Sequence, residues 1–461
     1  MRQNMNHQPT RRFGVLSVLL VIVCLGSAAG TANARPFGTV SGSKVATEAF
    51  LPVNDLPVQK EMPDAMTMDD GTKVKTIAQW RQRCEEMKAI LEHYELGHAP
   101  PSPGNLIGQF IRSATLLDGT VNYRLVHLSF GPEEDLGFDI AVFTPAQGGP
   151  FPTIINPSFF NTPGVAVTNS ITLPTASEAA TNLHARLRLI FNSPVAPEKG
   201  VESFTNELNR GYAVVTYHYT ECGADNADFR SSSYYPAYTN YDWGVLLGWV
   251  WGLSRVVDYL ENQPFVDTNK LIALGHSRLG KLVMVATAFD DRISLGAPAG
   301  SSGAGTGAYR FCGPDRGGKE GIEDMTRKFP YYFVPRLKEF TGQMEKLPFE
   351  AYWYIALTAP RPWISVEGTY DQNCVPNAVK QSVLAARPVY AFLGASTNRV
   401  GVNYEPHRHM LTVDDVNAVL DFADQQLRGI DRHRRFDQFP PESVPAVPEK
   451  KSGKANTMVE P

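Results

Sequence analysis

The sequence predicts a three-layer α/β fold with a mostly parallel central sheet, and two observations carry that expectation. From about residue 211 to residue 427, strand-patterned and helix-patterned segments alternate, the order that places helices on both faces of a parallel sheet. Within that stretch Lys270 to Gly275 (KLIALG) is a nearly continuous apolar run that passes through a glycine-flanked turn into a helical segment. Such a run reads as a strand buried on both faces.

Taken in chain order, Ile77 to Glu95 has helical spacing in Trp80, Met87, Leu91 and Tyr94 and stops at Gly97 and Pro100-Pro101. Strand patterns follow at Val121 to Phe130, Phe138 to Thr144 and Thr153 to Pro157. Asn161 to about Asn206 is polar, long and broken by prolines, which predicts an insertion rather than a core element. Gly211 to Tyr219 (GYAVVTYHY) then reads as a strand, Trp243 to Leu260 as an amphipathic helix and Leu279 to Phe289 as the helix after KLIALG. Ile293 to Pro298, Trp363 to Gly368 and Pro388 to Leu393 read as later strands, and Val413 to Leu427 as a closing helix. One domain over residues 76–430 accommodates all of these.

The ends are of another kind. Arg11 and Arg12 precede an uncharged run from Phe13 to Thr31 that closes on Ala32-Asn33-Ala34. This is the pattern of a signal peptide over residues 1–34, short for a spanning helix and followed by a small-x-small cleavage pattern; it implies a secreted or periplasmic protein with no stable membrane span after cleavage, a retained membrane anchor being the lesser alternative. Residues 35–75 read as an extended leader on the surface, and residues 431–461, charged and proline-rich, as a disordered tail. Export would allow up to two disulfides among Cys84, Cys222, Cys312 and Cys374, with simple buried thiols the equal alternative, and their spacing fits no zinc site. A formal net charge of -4 provides no basic field for nucleic acid.

The chemistry concentrates at Gly275-His276-Ser277-Arg278-Leu279-Gly280-Lys281. Between a buried strand and a helix, G-x-S-x-x-G is close to the nucleophile elbow of the α/β hydrolases, with the second glycine one position late. The turn exposes a serine hydroxyl at the carboxyl edge of the sheet, beside a helix N-terminus able to hold an oxyanion. A serine that only caps the helix is the plain alternative.

A serine nucleophile needs a base after the last strand and an acid on a loop before it. His407 and His409 both precede the closing helix, whose start is marked by Thr412 and Asp415, and His409 is nearer to it. For the acid, Asp371 and Glu367 follow the Trp363 strand, whereas Ala299-Gly300-Ser301-Ser302-Gly303 after the Ile293 strand offers no carboxylate. Glu367 is still in the strand pattern, which favours Asp371. His218, inside a strand pattern, reads as a packed histidine.

GHSRLGK resembles the G-x-S-R-x-G-K motif of the glucuronoyl esterases, the 4-O-methyl-glucuronoyl methylesterases. RGYAVVTYHY, FDDRISLGAPAGSSGAG, FPYYFVPRLKEF, LPFEAYWYIALTAPRP and HRHMLTVDDVNAVLDFADQQL agree with it, so the resemblance spans about Trp80 to Leu427. It implies a serine esterase with no metal or organic cofactor, acting on a carbohydrate ester of the glucuronoxylan or lignin–carbohydrate type. It also implies a base at His409 and, because Ser301 stands where other members carry Glu, the variant with its acid at Asp371. By the same pattern Arg278 faces the oxyanion, Lys281 binds sugar hydroxyls, and Arg310 and Glu320 lie across the cleft. Two positions depart from it: Asn373 replaces a pocket-lining Trp, and Tyr352 or a neighbour replaces a His. The missing Trp keeps open an esterase for another carbohydrate ester, such as acetyl groups, and a non-catalytic carbohydrate-binding relic remains the alternative outside enzymes.

Overall fold

The computed structural model describes residues 50–166, 182, 189–313 and 319–440. The expected signal peptide, the first part of the expected leader, much of the expected insertion and the tail beyond 440 therefore lie outside the described residues.

Among the described residues nine strands form one sheet: β1 (Ile107–Leu116), β2 (Val121–Phe130), β3 (Leu136–Pro145), β4 (Phe151–Ser158), β5 (Ala213–His218), β6 (Val266–His276), β7 (Leu295–Ala299), β8 (Trp363–Gly368) and β9 (Val400–Glu405). Their order is β1-β2-β3-β5-β4-β6-β7-β8-β9. Strands β4 to β9 pair in parallel, and β1 to β3 extend the sheet antiparallel from β5. The crossed order of β4 and β5 is the chain reversal of an α/β hydrolase, and the parallel strands all deliver their carboxyl ends to one edge.

The helices that pack on the sheet are α1 (Ile77–Leu91), α2 (Val245–Leu260), α3 (Arg278–Phe289), α4 (Tyr352–Thr358), α5 (Pro376–Phe392) and α6 (Val413–Ala423). Alternation along β6 assigns them to faces, because successive side chains on a strand point to opposite sides. Leu271 and Ala273 join the core shared with α1 to α5, while Ile272 and Leu274 join the one closed by Ala418, Val419 and Phe422 of α6. Three layers result, as expected. Helix α2 is more deeply placed than an amphipathic pattern implies: every residue except Asp258 is buried, Trp249 and Trp251 included.

The sequence reading needs correction at four places. Pro388 to Leu393 is not a strand but the end of α5, with Pro388 inside the helix and Val389 and Tyr390 buried. A short apolar run does not tell a strand from a buried helical turn. The true last strand is β9 (VGVNYE), whose Gly401 and Asn403 break the apolar pattern. Edge strand β1 was also not expected; seven of its residues in a row are exposed, so it has no inward face to reveal it. Finally, both flanks pack. Val53, Ala65, Met68 and Val74 of the leader are buried, with Pro63 O accepting from Tyr352 and Trp353 of α4. Phe436 is buried against α6 and its carbonyl accepts from Val402.

No disulfide joins the described Cys84, Cys222, Cys312 and Cys374, the last three of which are buried. Burial pushes the Cys84 thiol up to about 12. Among the described residues no helix is long and apolar enough to cross a membrane.

Candidate active site

Ser277 stands between the end of β6 and the first residue of α3 with φ 58° and ψ -122°. A non-glycine residue rarely holds a positive φ, and the surrounding packing must enforce it. The flanking glycines show how. A Cβ on Gly275 would lie 2.4 Å from Leu279 O, and one on Gly280 2.9 Å from Ser301 Cβ and 3.1 Å from Ala299 O. Helix and strand therefore close on each other around the serine, and the late second glycine is the one that admits the loop after β7. The Ser277 amide donates to Ala299 O at 2.8 Å, which ties the elbow to β7.

The two strands beyond β7 bring the polar partners. His409, after β9, places Nε2 2.8 Å from Ser277 Oγ and Nδ1 2.7 Å from Asp371 Oδ2. Asp371, after β8, is buried, and its other oxygen accepts from the Asn373 amide at 2.9 Å. Burial acts to raise its pKa, but the bonds from His409, Asn373 and Cys374 outweigh that and hold it below the usual carboxylate value. It is thus an anion aimed at the imidazole. The structure brings the three expected residues into one relay.

The competing candidates point elsewhere. His407 pairs with Asp415 at 2.9 Å and its Nδ1 lies 2.6 Å from Arg408 O. Glu367 is buried with Ser365 and Thr306 donating to it, and burial pushes its pKa up to about 7. His218 is buried in β5. One contact the sequence reading overlooked involves His276: its ring lies 4.7 Å from that of His409, and burial, then the neighbouring His409 charge, lowers its pKa to about 3. A neutral ring therefore packs against that of His409. Its place in the elbow motif was the available signal.

Arg278 follows the serine, with 31% of its side chain exposed. Its guanidinium contacts the Asp225 carboxylate and lies 5.3 Å from the ring centre of Phe329. Being first in α3, its amide has no acceptor within the helix. Asp225, on the loop after β5, carries no sequence signature and was missed.

The expected sugar ligands are not arranged as expected. Lys281 is buried, with Nζ on Ser301 O and 3.2 Å from Glu320 Oε2, so these two residues satisfy each other. Arg310 does not join them. Its guanidinium is 3.1 Å from Glu350 and 2.8 Å from Leu347 O, a buried clamp rather than an open ligand. Tyr352 is likewise committed, between Pro63 O and the Ala65 amide. Asn373 is partly exposed, and its carbonyl accepts from Ser302.

The family model for fungal glucuronyl esterases matches residues 165–394. A carbohydrate esterase from an unknown prokaryotic organism is 28% identical over 80% of this chain and 90% of its own. The 4-O-methyl-glucuronoyl methylesterase of Phanerochaete carnosa is 26% identical over 83% of this chain and 84% of its own. Of solved structures, a promiscuous family 15 carbohydrate esterase from a marine bacterial metagenome has a TM-score of 0.67 at 26% identity, covering 81% of this chain and 99% of that one. A glucuronoyl esterase from Caldicellulosiruptor kristjansonii has 0.65 at 27%, covering 85% and 99%. With likeness of this breadth in sequence and in fold, the chain belongs to the glucuronoyl esterases, a family of carboxylic ester hydrolases.

Proposed function

We propose that the chain hydrolyses esters of glucuronic acid in plant-type polysaccharide through a covalent acyl-enzyme, with Ser277 as nucleophile, His409 as general base and Asp371 as the orienting acid. The observation that carries this is the pair of contacts at 2.8 and 2.7 Å that join Ser277 Oγ to His409 and His409 to Asp371. His409 Nε2 takes the hydroxyl proton as Oγ bonds to the ester carbonyl carbon, and the carbonyl oxygen becomes an oxyanion. The Arg278 guanidinium and the first amides of α3 stabilise that charge. As the oxyanion collapses, the carbon–oxygen bond to the alcohol breaks and His409 returns the proton to the leaving oxygen. Water then attacks the acyl-enzyme, gives its proton to His409, and releases the uronic acid while Ser277 recovers its hydroxyl proton. Lys281, buried, holds the Glu320 carboxylate and takes no part in the proton transfers. The N-terminal pattern of Arg11-Arg12 and the uncharged run to Thr31 supports export.

A second reading, hydrolysis of carbohydrate acetyl esters, is favoured by Asn373, which supplies no aromatic wall for a uronate ring. Loss of one such wall costs about 1 to 3 kcal/mol of binding, roughly 5- to 150-fold. Turnover of benzyl glucuronate with an elevated KM is the expected result. Saturable acetyl-ester hydrolysis with no glucuronate turnover would decide for the second reading. Ser277→Ala, folded by circular dichroism, should lose about 10⁴-fold or more of either activity.

A further inference from the structure

We propose that Asp225 is a positioning residue that holds the Arg278 guanidinium at the oxyanion, an inference that rests on the oxyanion role given to Arg278 above. An arginine side chain is long and flexible, and its charge assists a transition state only if it is already in place when the charge develops. Arg278 begins α3, so its backbone is fixed by the elbow, but nothing in its own helix fixes the far end of the side chain.

The fixing elements come from three other segments. Asp225 stands on the loop after β5, with only 11% of its side chain exposed. Its Oδ2 faces Arg278 Nη1 and accepts from Tyr219 OH at 2.6 Å, while its Oδ1 accepts from Tyr331 OH at 3.0 Å. The Tyr331 hydroxyl also lies 3.2 Å from Asp225 O. A carboxylate that accepts from two tyrosines on separate segments has little freedom to follow a moving arginine; the arginine must come to it. Aromatic rings close the remaining sides, with the guanidinium 5.9 Å from the ring centre of Phe159, 5.3 Å from Phe329 and 6.0 Å from Tyr332, within the range of attraction between a cation and an aromatic face.

Asp225 also offsets part of the arginine charge, which by itself would weaken the oxyanion site. The two tyrosine bonds decide between these effects, because they delocalise part of the carboxylate's charge and fix its orientation. Positioning therefore dominates, and loss of the carboxylate should lower kcat rather than raise it.

The test is a double-mutant cycle on benzyl glucuronate with Asp225→Asn, Arg278→Ala and the pair, each checked by thermal melting. Asp225→Asn should lower kcat about 10- to 100-fold while KM stays within about threefold, since the interaction acts mainly in the transition state. Arg278→Ala should cost at least as much, and the double variant should be no slower than Arg278→Ala alone. Equal cost of Asp225→Asn in both backgrounds would show a merely structural role and overturn the inference, as would unchanged or raised kcat. Should Asp225→Asn not fold, Tyr331→Phe removes one fixing bond without touching a charge and should lower kcat about threefold or more, only when Arg278 is present. Arg278→Ala with wild-type kcat would instead remove the oxyanion reading itself, and the inference with it.

Discussion

The loops after β7 and β8 lie side by side at the carboxyl edge of the sheet, and they do opposite work. The β7 loop holds small residues: Ser301 is fully buried, its Oγ donates to Ser277 O at 3.1 Å, and its carbonyl takes Lys281 Nζ. It supports the nucleophile elbow from beneath and brings no charge to the histidine. The β8 loop brings Asp371, buried and ionised, against His409 Nδ1. In a parallel sheet two adjacent strand ends offer comparable distances to a base on the next loop. Which of them carries the acid then depends on what the other is already committed to. Here the β7 loop is committed to the serine backbone.

The largest effect should come from reversing that division. Asp371→Asn should lower kcat about 10²- to 10⁴-fold, because the imidazole loses the charge that fixes its tautomer and stabilises its protonated form. Adding Ser301→Glu to that variant should leave it within about threefold of Asp371→Asn. A glutamate there gives up the bond to Ser277 O and must fit a site that is now fully buried beside the elbow. Recovery of tenfold or more would show that either loop accepts the acid, and the contrast would fail.

A smaller effect separates the two histidines of the β9 loop. His409→Ala should be inactive, whereas His407→Ala should keep kcat within about threefold. His407 supports the start of α6 instead, through Asp415, which with Thr412 forms a reciprocal cap. Burial acts to lower the His407 pKa, but the Asp415 carboxylate and the Arg408 carbonyl outweigh it and raise the value. A histidine with a raised folded pKa stabilises fully below its unfolded value near 6.5 and loses that contribution as pH rises through the folded one. His407→Ala should therefore cost about 1 kcal/mol at pH 5.5 and less at pH 9, read by denaturant titration. A cost that grows with pH would overturn the assignment.

These residues also show what the sequence made legible. Ser277, Asp371 and His409 are each marked locally, by a strand end, a turn and a cap, so a chain-order argument reaches them without contacts. Strand β9 was misplaced by about a dozen residues, yet His409 still followed whichever segment was last. Asp225 and the Lys281–Glu320 pair are different. Their roles depend on segments far apart in sequence meeting in space, and no local period or spacing encodes that meeting. Arg310 shows the converse hazard, because a matching position says nothing of the Glu350 that occupies its guanidinium.

The finest contrast lies around the end of β8, where Glu367 in the strand and Asp371 on the loop after it are four residues apart, both buried, and shifted in opposite directions. Glu367 accepts from Thr306 at 3.0 Å and from Ser365, with no contact to His409, and burial followed by repulsion from Asp371 lifts its pKa to about 7. Asp371, with His409 beside it, is held low. Between about pH 4.3, the ordinary glutamate value, and pH 7 the folded chain thus keeps a proton on Glu367 that the unfolded chain releases. More protons bound in the folded state make stability fall as pH rises through that window, and the loss levels off above it. Glu367→Gln, isosteric and uncharged, should flatten that part of the stability curve in melts from pH 4.5 to 7.5. It should leave kcat within about twofold at pH 7, since no proton or charge of Glu367 reaches the base. A loss of kcat comparable to that of Asp371→Asn would transfer the acid role to Glu367 and erase the distinction between the two carboxyls.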